Sequence, residues 1–127
     1  MSAFRTPLKQ VRGLGSPREG VSHWWAQRVT AIALAPLSLW FVWLAASLTG
    51  ADYLTVRAAF AQPLNAVLTI AFLWSVFHHG QLGLQVVIED YIHHRGLEIT
   101  LMVLIRFLAF LVPLAASIAV LRLAIGG

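Results

Sequence analysis

The residues with the most chemistry in them lie between positions 78 and 94: His78-His79-Gly80-Gln81-Leu82-Gly83-Leu84-Gln85-Val86-Val87-Ile88-Glu89-Asp90-Tyr91-Ile92-His93-His94. A neutral imidazole can ligate a metal, and a phenol beside a carboxylate can donate a hydrogen bond and serve proton transfer. On a helix His79, Gly83, Val86 and Asp90 share one face, because residues three, four, seven and eleven apart stack there. Tyr91 then lies about 120° round the helix from His79 and about 18 Å along it, at roughly 100° and 1.5 Å per residue. A metal ligand would sit deep in the segment, with an acid–phenol pair at its mouth.

Ser75, His79 and Gly83 are spaced i, i+4, i+8, so small residues flank one imidazole on that face. A flat macrocycle approaching the backbone needs such a face. Close helix packing through small residues, with His79 as an interhelical hydrogen bonder, needs it too, and spacing alone leaves both open. His78 looks to another face, with Gln85 and Glu89, and suits hydrogen bonding or a water path. His93 and His94 fall beyond the apolar run and read as surface residues. The chain has no cysteine, so any metal would be held by histidine or carboxylate.

The elements that must position these groups are set by composition. Of 127 residues, 59% are hydrophobic and 11% charged, with a mean hydropathy of +0.78. A soluble domain carries about 25% charged residues. Three apolar blocks, near 26–49, 63–91 and 99–125, each have the roughly 20 residues that cross a hydrocarbon core about 30 Å thick. The reading is an all-α integral membrane protein with three transmembrane helices. Met1–Gly20 is polar and basic, with no cleavage site of a targeting peptide. We take 1–22 as a cytosolic N-terminal arm and 23–127 as the three-helix transmembrane domain.

A net charge of +4 and a pI near 10.8 would suggest a nucleic-acid partner in a soluble protein. The distribution argues for topology instead. Arg5, Lys9, Arg12, Arg18 and Arg28 precede or open the first span, and Arg95 lies between the second and third. The other connection offers Arg57, opposed by Asp52. The positive-inside bias places the N-terminus in the cytoplasm, and no nucleic acid is expected.

Within the blocks, Ser22 reads as a helix N-cap, and Trp24 and Trp25 as interfacial anchors. Arg28 lies about a turn inside the first block, where it either snorkels to headgroups or pairs with an anionic group of a cofactor. A short amphipathic helix fits 54–61. The second span is over 40 Å long at about 1.5 Å per residue, so Glu89, Asp90 and Tyr91 protrude at the cytoplasmic interface. Gly96 is expected to end this segment, with the third span opening near Leu97–Ile99. Arg106 lies two turns further in, and its environment is undecided.

His79-x-x-x-Gly83 followed by Asp90-Tyr91, with the Arg28-Val29-Thr30-Ala31-Ile32 opening and the Val87-Ile88-Glu89-Asp90-Tyr91 run, resembles the hydrophobic membrane anchor of succinate dehydrogenase, the D-type subunit of respiratory complex II. The resemblance covers nearly the whole chain. It implies that His79 is an axial ligand of haem b, with the other ligand from a second three-helix, cytochrome b556-type anchor. His78 is the alternative that the doublet leaves. It further implies that Tyr91, with Asp90, binds ubiquinone, and that Arg28 and His23 approach the haem propionates. The chain would pack against the second anchor in a bacterial inner membrane and dock the iron–sulfur and flavoprotein subunits. It would catalyse nothing alone. Two other classes fit the composition, a small membrane transporter and a cofactor-free assembly or scaffold protein. The acids lie only at a helix end and no inverted repeat is evident, which counts against the transporter.

Overall fold

The structure is a computed structural model that describes residues 17–126. Four helices follow one another: α1 (Pro17–Ser47), α2 (Tyr53–Ala61), α3 (Pro63–Tyr91) and α4 (Arg95–Ile125). Among the described residues there is no strand. Three of the helices, α1, α3 and α4, are long and apolar enough to cross a membrane.

Residues 1–16 of the expected arm lie outside the described residues, and 17–22 form the first turns of α1. Ser22 is therefore inside the helix and is not its N-cap. Proline suits a first turn, because its fixed φ is already helical and its missing N–H would have had no partner there. The short helix begins at Tyr53, where the Asp52 carboxylate accepts a hydrogen bond from the Thr55 N–H at 2.9 Å. Gly50 supplies the left-handed turn before it, with φ +79. Hydrogen bonding from the Thr55 hydroxyl, then from its N–H, holds the Asp52 carboxyl below its usual range. On the far side of α2, Asn65 Nδ2 donates to the Ala59 carbonyl at 2.9 Å and clamps the turn at Pro63.

Gly96 does not end the second span. α3 stops at Tyr91, and α4 already begins at Arg95, because His94 Nδ1 accepts from the Leu97 N–H at 3.1 Å. A side-chain acceptor at the cap satisfies an orphan N–H of the first turn, so the glycine is carried inside the helix. At the other end Gly126 takes φ +84, and Arg57 Nη2 donates to its carbonyl at 2.9 Å. That contact ties α2 to the end of α4.

α3 is the central helix. α1 packs along one side of it and α4 along another, while α1 and α4 have no Cα atoms within 8 Å of each other. Phe41 stacks on Phe72 at 4.6 Å across the α1–α3 seam. Trp74 meets Phe110 edge-on at 5.8 Å across the α3–α4 seam, and its Nε1 donates to Ser117 Oγ at 3.0 Å. Ala66, Thr69 and Ser117 are buried, and small residues at such seams let backbones approach closely. Pro113 is the one large side chain that is wholly buried among the described residues. The outward faces are apolar, with Ile32 73% and Leu39 76% exposed. Apolar outside and polar at the seams is the arrangement expected when hydrocarbon is the solvent.

Candidate functional site

His79 is held at the α1–α3 seam. Its Nδ1 lies 3.1 Å from Thr30 Oγ1, a contact between residues 49 positions apart. The ring is half-buried, and no other hydrogen bond reaches it among the described residues. The strip beside it is open: a Cβ added at Gly80 or at Gly83 would meet nothing within 4 Å. Gly83 shares the His79 face, while Gly80 opens toward Ile105, Leu108 and Ala109 of α4. The sequence left helix packing and macrocycle binding open for this face, and the structure supplies features of both. Among the described residues no three histidine or acidic side chains gather round one point. A metal held here would take its other ligands from elsewhere.

His78 turns toward α4. It lines a cleft of about 680 Å³ between α1 and α4 together with Ser22, His23, Gln85 and Arg106. A second space of about 380 Å³ shares His78 and Arg106 with it and is lined also by Thr30, Trp74, Gln81 and Phe110. The sequence placed His78 on a face with Gln85 and Glu89, and Gln85 Nε2 does donate to Glu89 Oε1 at 3.2 Å. It left Arg106 undecided, and the fold sets that residue on this polar cleft. The His23 Nε2 is buried with no hydrogen-bond partner among the described residues. An imidazole nitrogen in that condition can take a hydrogen-bond partner from outside the chain.

Arg28 projects from α1 with its guanidinium over the Trp24 ring, 5.1 Å from the centroid. A guanidinium stacked on a ring keeps its N–H edge available for carboxylate. Arg28 and His23 occupy one end of α1, but the cleft includes His23 and not Arg28. Asp90 and Tyr91 end α3, both exposed, and Tyr91 is 75% exposed. No hydrogen bond joins them to any described side chain. A phenol in that setting can be given wholly to a ligand or partner. His93 and His94 are exposed as expected, although His94 also caps α4.

Thr30 is the residue that sequence reasoning passed over. It was visible as part of the Arg28–Ile32 run, yet only the pairing of α1 with α3 brings it to His79. Arg57 was read for its charge alone, and its bond to Gly126 depends on a chain reversal 69 residues long.

The family model for the succinate dehydrogenase/fumarate reductase transmembrane subunit matches residues 2–113. The chain is 35% identical over 118 residues to the succinate dehydrogenase hydrophobic membrane anchor subunit of Rickettsia bellii (strain RML369-C), covering 92% of this chain and 94% of that one. It is 35% identical over 88 residues to the subunit of the same description from Paracoccus denitrificans, covering 69% and 68%. Over 95 residues it is 35% identical to the succinate dehydrogenase membrane anchor subunit of Reclinomonas americana, covering 72% and 79%.

Proposed function

This chain belongs to the succinate dehydrogenase/fumarate reductase transmembrane subunit family as a membrane anchor, and from that premise we propose that it holds a b-type haem through His79 and ubiquinone through Tyr91. The observation that carries the reading is the placement of His79. Of five histidines, it is the one pinned across two spans by a ring nitrogen, beside Gly83, which leaves the backbone open.

The residues present fit such a group. Neutral imidazole is a ligand of haem iron in electron-transfer cytochromes. This chain would supply one axial ligand and a second, cytochrome b556-type anchor the other. Arg28, whose guanidinium lies over Trp24, and His23, whose Nε2 has no hydrogen-bond partner among the described residues, would meet the propionates. When bound, the haem supplies a one-electron centre whose potential the axial ligands and their hydrogen bonds tune. The protein's part is to orient the imidazole and keep the ring face dry.

Tyr91 and Asp90 serve the quinone at the helix end. A quinone carbonyl gains negative charge as it is reduced, so a fixed O–H donor stabilises the charge as it develops. The Tyr91 hydroxyl would donate to that oxygen, and Asp90 beside it would help renew the proton. The electrons come from succinate through flavoprotein and iron–sulfur subunits docked on the N-terminal side. That side is the cytoplasm by the positive-inside bias, in a bacterial inner membrane.

The complex purified from membranes tests this directly. Wild type should show a reduced b-type spectrum and carry a second small anchor, an iron–sulfur protein and a flavoprotein. His79→Ala should lose or alter the haem spectrum while still inserting in the membrane. An unchanged low-spin bis-histidine spectrum would remove His79 as the ligand and bring His78 forward.

A further inference from the structure

The Thr30 hydroxyl has one hydrogen and three neighbours that could take it. Two are carbonyls of its own helix, Ala26 O at 2.8 Å and Gln27 O at 3.1 Å. The third is His79 Nδ1 at 3.1 Å. An O–H···O bond is shortest and best near 2.7–2.8 Å, whereas about 3 Å is the ordinary length for N–H···O. The distances therefore sort themselves. Thr30 donates backward to Ala26, as helical threonines commonly do, and its lone pair is left facing the imidazole. A lone pair facing the imidazole matches the tautomer that carries its proton on Nδ1.

We propose that Thr30 is a positioning residue for His79: it accepts from Nδ1–H and so holds the neutral tautomer whose Nε2 lone pair is free for a metal. The inference rests on the reading of His79 as the haem ligand and adds how the ligand is prepared. A histidine in either tautomer could hydrogen-bond across a helix seam, but only this one presents Nε2 as a base. The bond reaches from α1 to α3, so it fixes ring orientation as well as the proton. Metal-bound histidines usually have such a partner, which raises their basicity and steers the ring. Here the partner is anchored in turn by the Ala26 carbonyl, so the donor–acceptor direction cannot reverse without breaking the Thr30–Ala26 bond.

A stronger electron-donating imidazole stabilises the ferric form more than the ferrous. Thr30→Val keeps the shape and deletes the acceptor, leaving Nδ1–H against a methyl group. Haem retention in the purified complex should fall by about 10–100-fold, the usual cost of removing such a partner. The midpoint potential should move positive, by about 59 mV for each tenfold lost selectively by the ferric form of a one-electron couple. Thr30→Ser keeps the hydroxyl and should restore both values. Should Thr30→Val fail to assemble, Thr30→Cys replaces the strong acceptor by a weak one without setting a methyl group against Nδ1–H and is read the same way.

His79→Met separates the two claims. If it changes the low-spin signature while Thr30→Val and Thr30→Cys leave retention and potential at wild type, the Thr30 inference is overturned and the ligand reading stands. If His79→Met leaves the signature unchanged, the ligand reading falls and this inference with it. Loss in the valine and cysteine variants, with recovery in the serine variant, is the supporting result.

Discussion

Tyr91→Phe separates the chain's proposed chemistry from its structure. The hydroxyl is on a side chain 75% exposed and has no hydrogen-bond partner among the described residues. Deleting it therefore removes no contact within the chain, and stability should stay within about 0.5 kcal/mol of wild type. Any larger effect must come from what the hydroxyl meets outside the chain. A hydrogen bond between neutral groups contributes about 0.5–1.5 kcal/mol, and one to a charged group about 1.5–3. The quinone oxygen passes from the first condition toward the second during reduction, so a loss of about 1–2 kcal/mol is expected. At 1.36 kcal/mol per factor of ten, quinone reduction slows about five- to thirtyfold. The assay compares two rates in one purified complex: succinate to quinone, and succinate to an artificial dye that takes electrons from the soluble subunits. Only the first should fall. Tyr53 is the chain's other tyrosine, also exposed, at the start of α2 and away from this helix end. Tyr53→Phe should leave both rates unchanged. Equal loss of the two rates in Tyr91→Phe would mean impaired assembly, and no loss in either would make Tyr91 an interfacial anchor only.

Arg28→Gln should weaken haem retention while the bis-histidine spectrum of the retained fraction stays unchanged, because the guanidinium would meet carboxylates and not iron; spectra normalised to protein check this. Ser117→Ala removes the acceptor for Trp74 Nε1 across the α3–α4 seam. Interhelical bonds of this kind average about 0.6 kcal/mol and reach about 1.7, so thermal unfolding in detergent should come a few degrees earlier. Gly126→Ala places a side chain at φ +84, against the Arg57 guanidinium. A left-handed alanine costs about 1–2 kcal/mol, and proteolysis at the C-terminal turn of α4 should quicken. The Asp52 carboxyl is held below its usual range by Thr55, so its contribution to α2 is complete above the unfolded carboxylate pKa. It is lost as the pH falls through the depressed folded value. The protection factors of the α2 amides, taken relative to the intrinsic exchange rate at each pH, should fall at acid pH in wild type and be nearly independent of that step in Asp52→Asn, which keeps a neutral capping oxygen.

The sequence by itself determined the secondary structure and the environment, because both follow from local and compositional terms. Three apolar runs of membrane length need no long-range information to be recognised. The short helix near 54–61 and the exposed C-terminal end of α3 follow from residues within a few positions of each other. Boundaries were less legible where an unusual side chain intervened. His94 is an infrequent cap, and with it α4 starts before the glycine that would otherwise mark a break. Pro17 likewise starts α1 earlier than the first apolar residue suggests. The polar side chains of one helix face were also readable, so His79 and Gly83 could be paired and His78 set apart with Gln85 and Glu89.

Only the tertiary structure decided which helix each of those faces meets. Sequence periodicity gives the angle of His79 about its own axis, but says nothing of what lies across the seam. The pairing of α1 with α3 brings Thr30 within 3.1 Å of His79 from 49 residues away. In the same way, the separation of α1 from α4 opens the cleft where Arg106 joins His78 and His23. A lone arginine in an apolar run has several possible surroundings, because its long side chain can reach water, lipid headgroup or a neighbouring helix. Which of them it meets depends on helix packing, and that is fixed by shape and small residues along whole seams rather than by any local pattern.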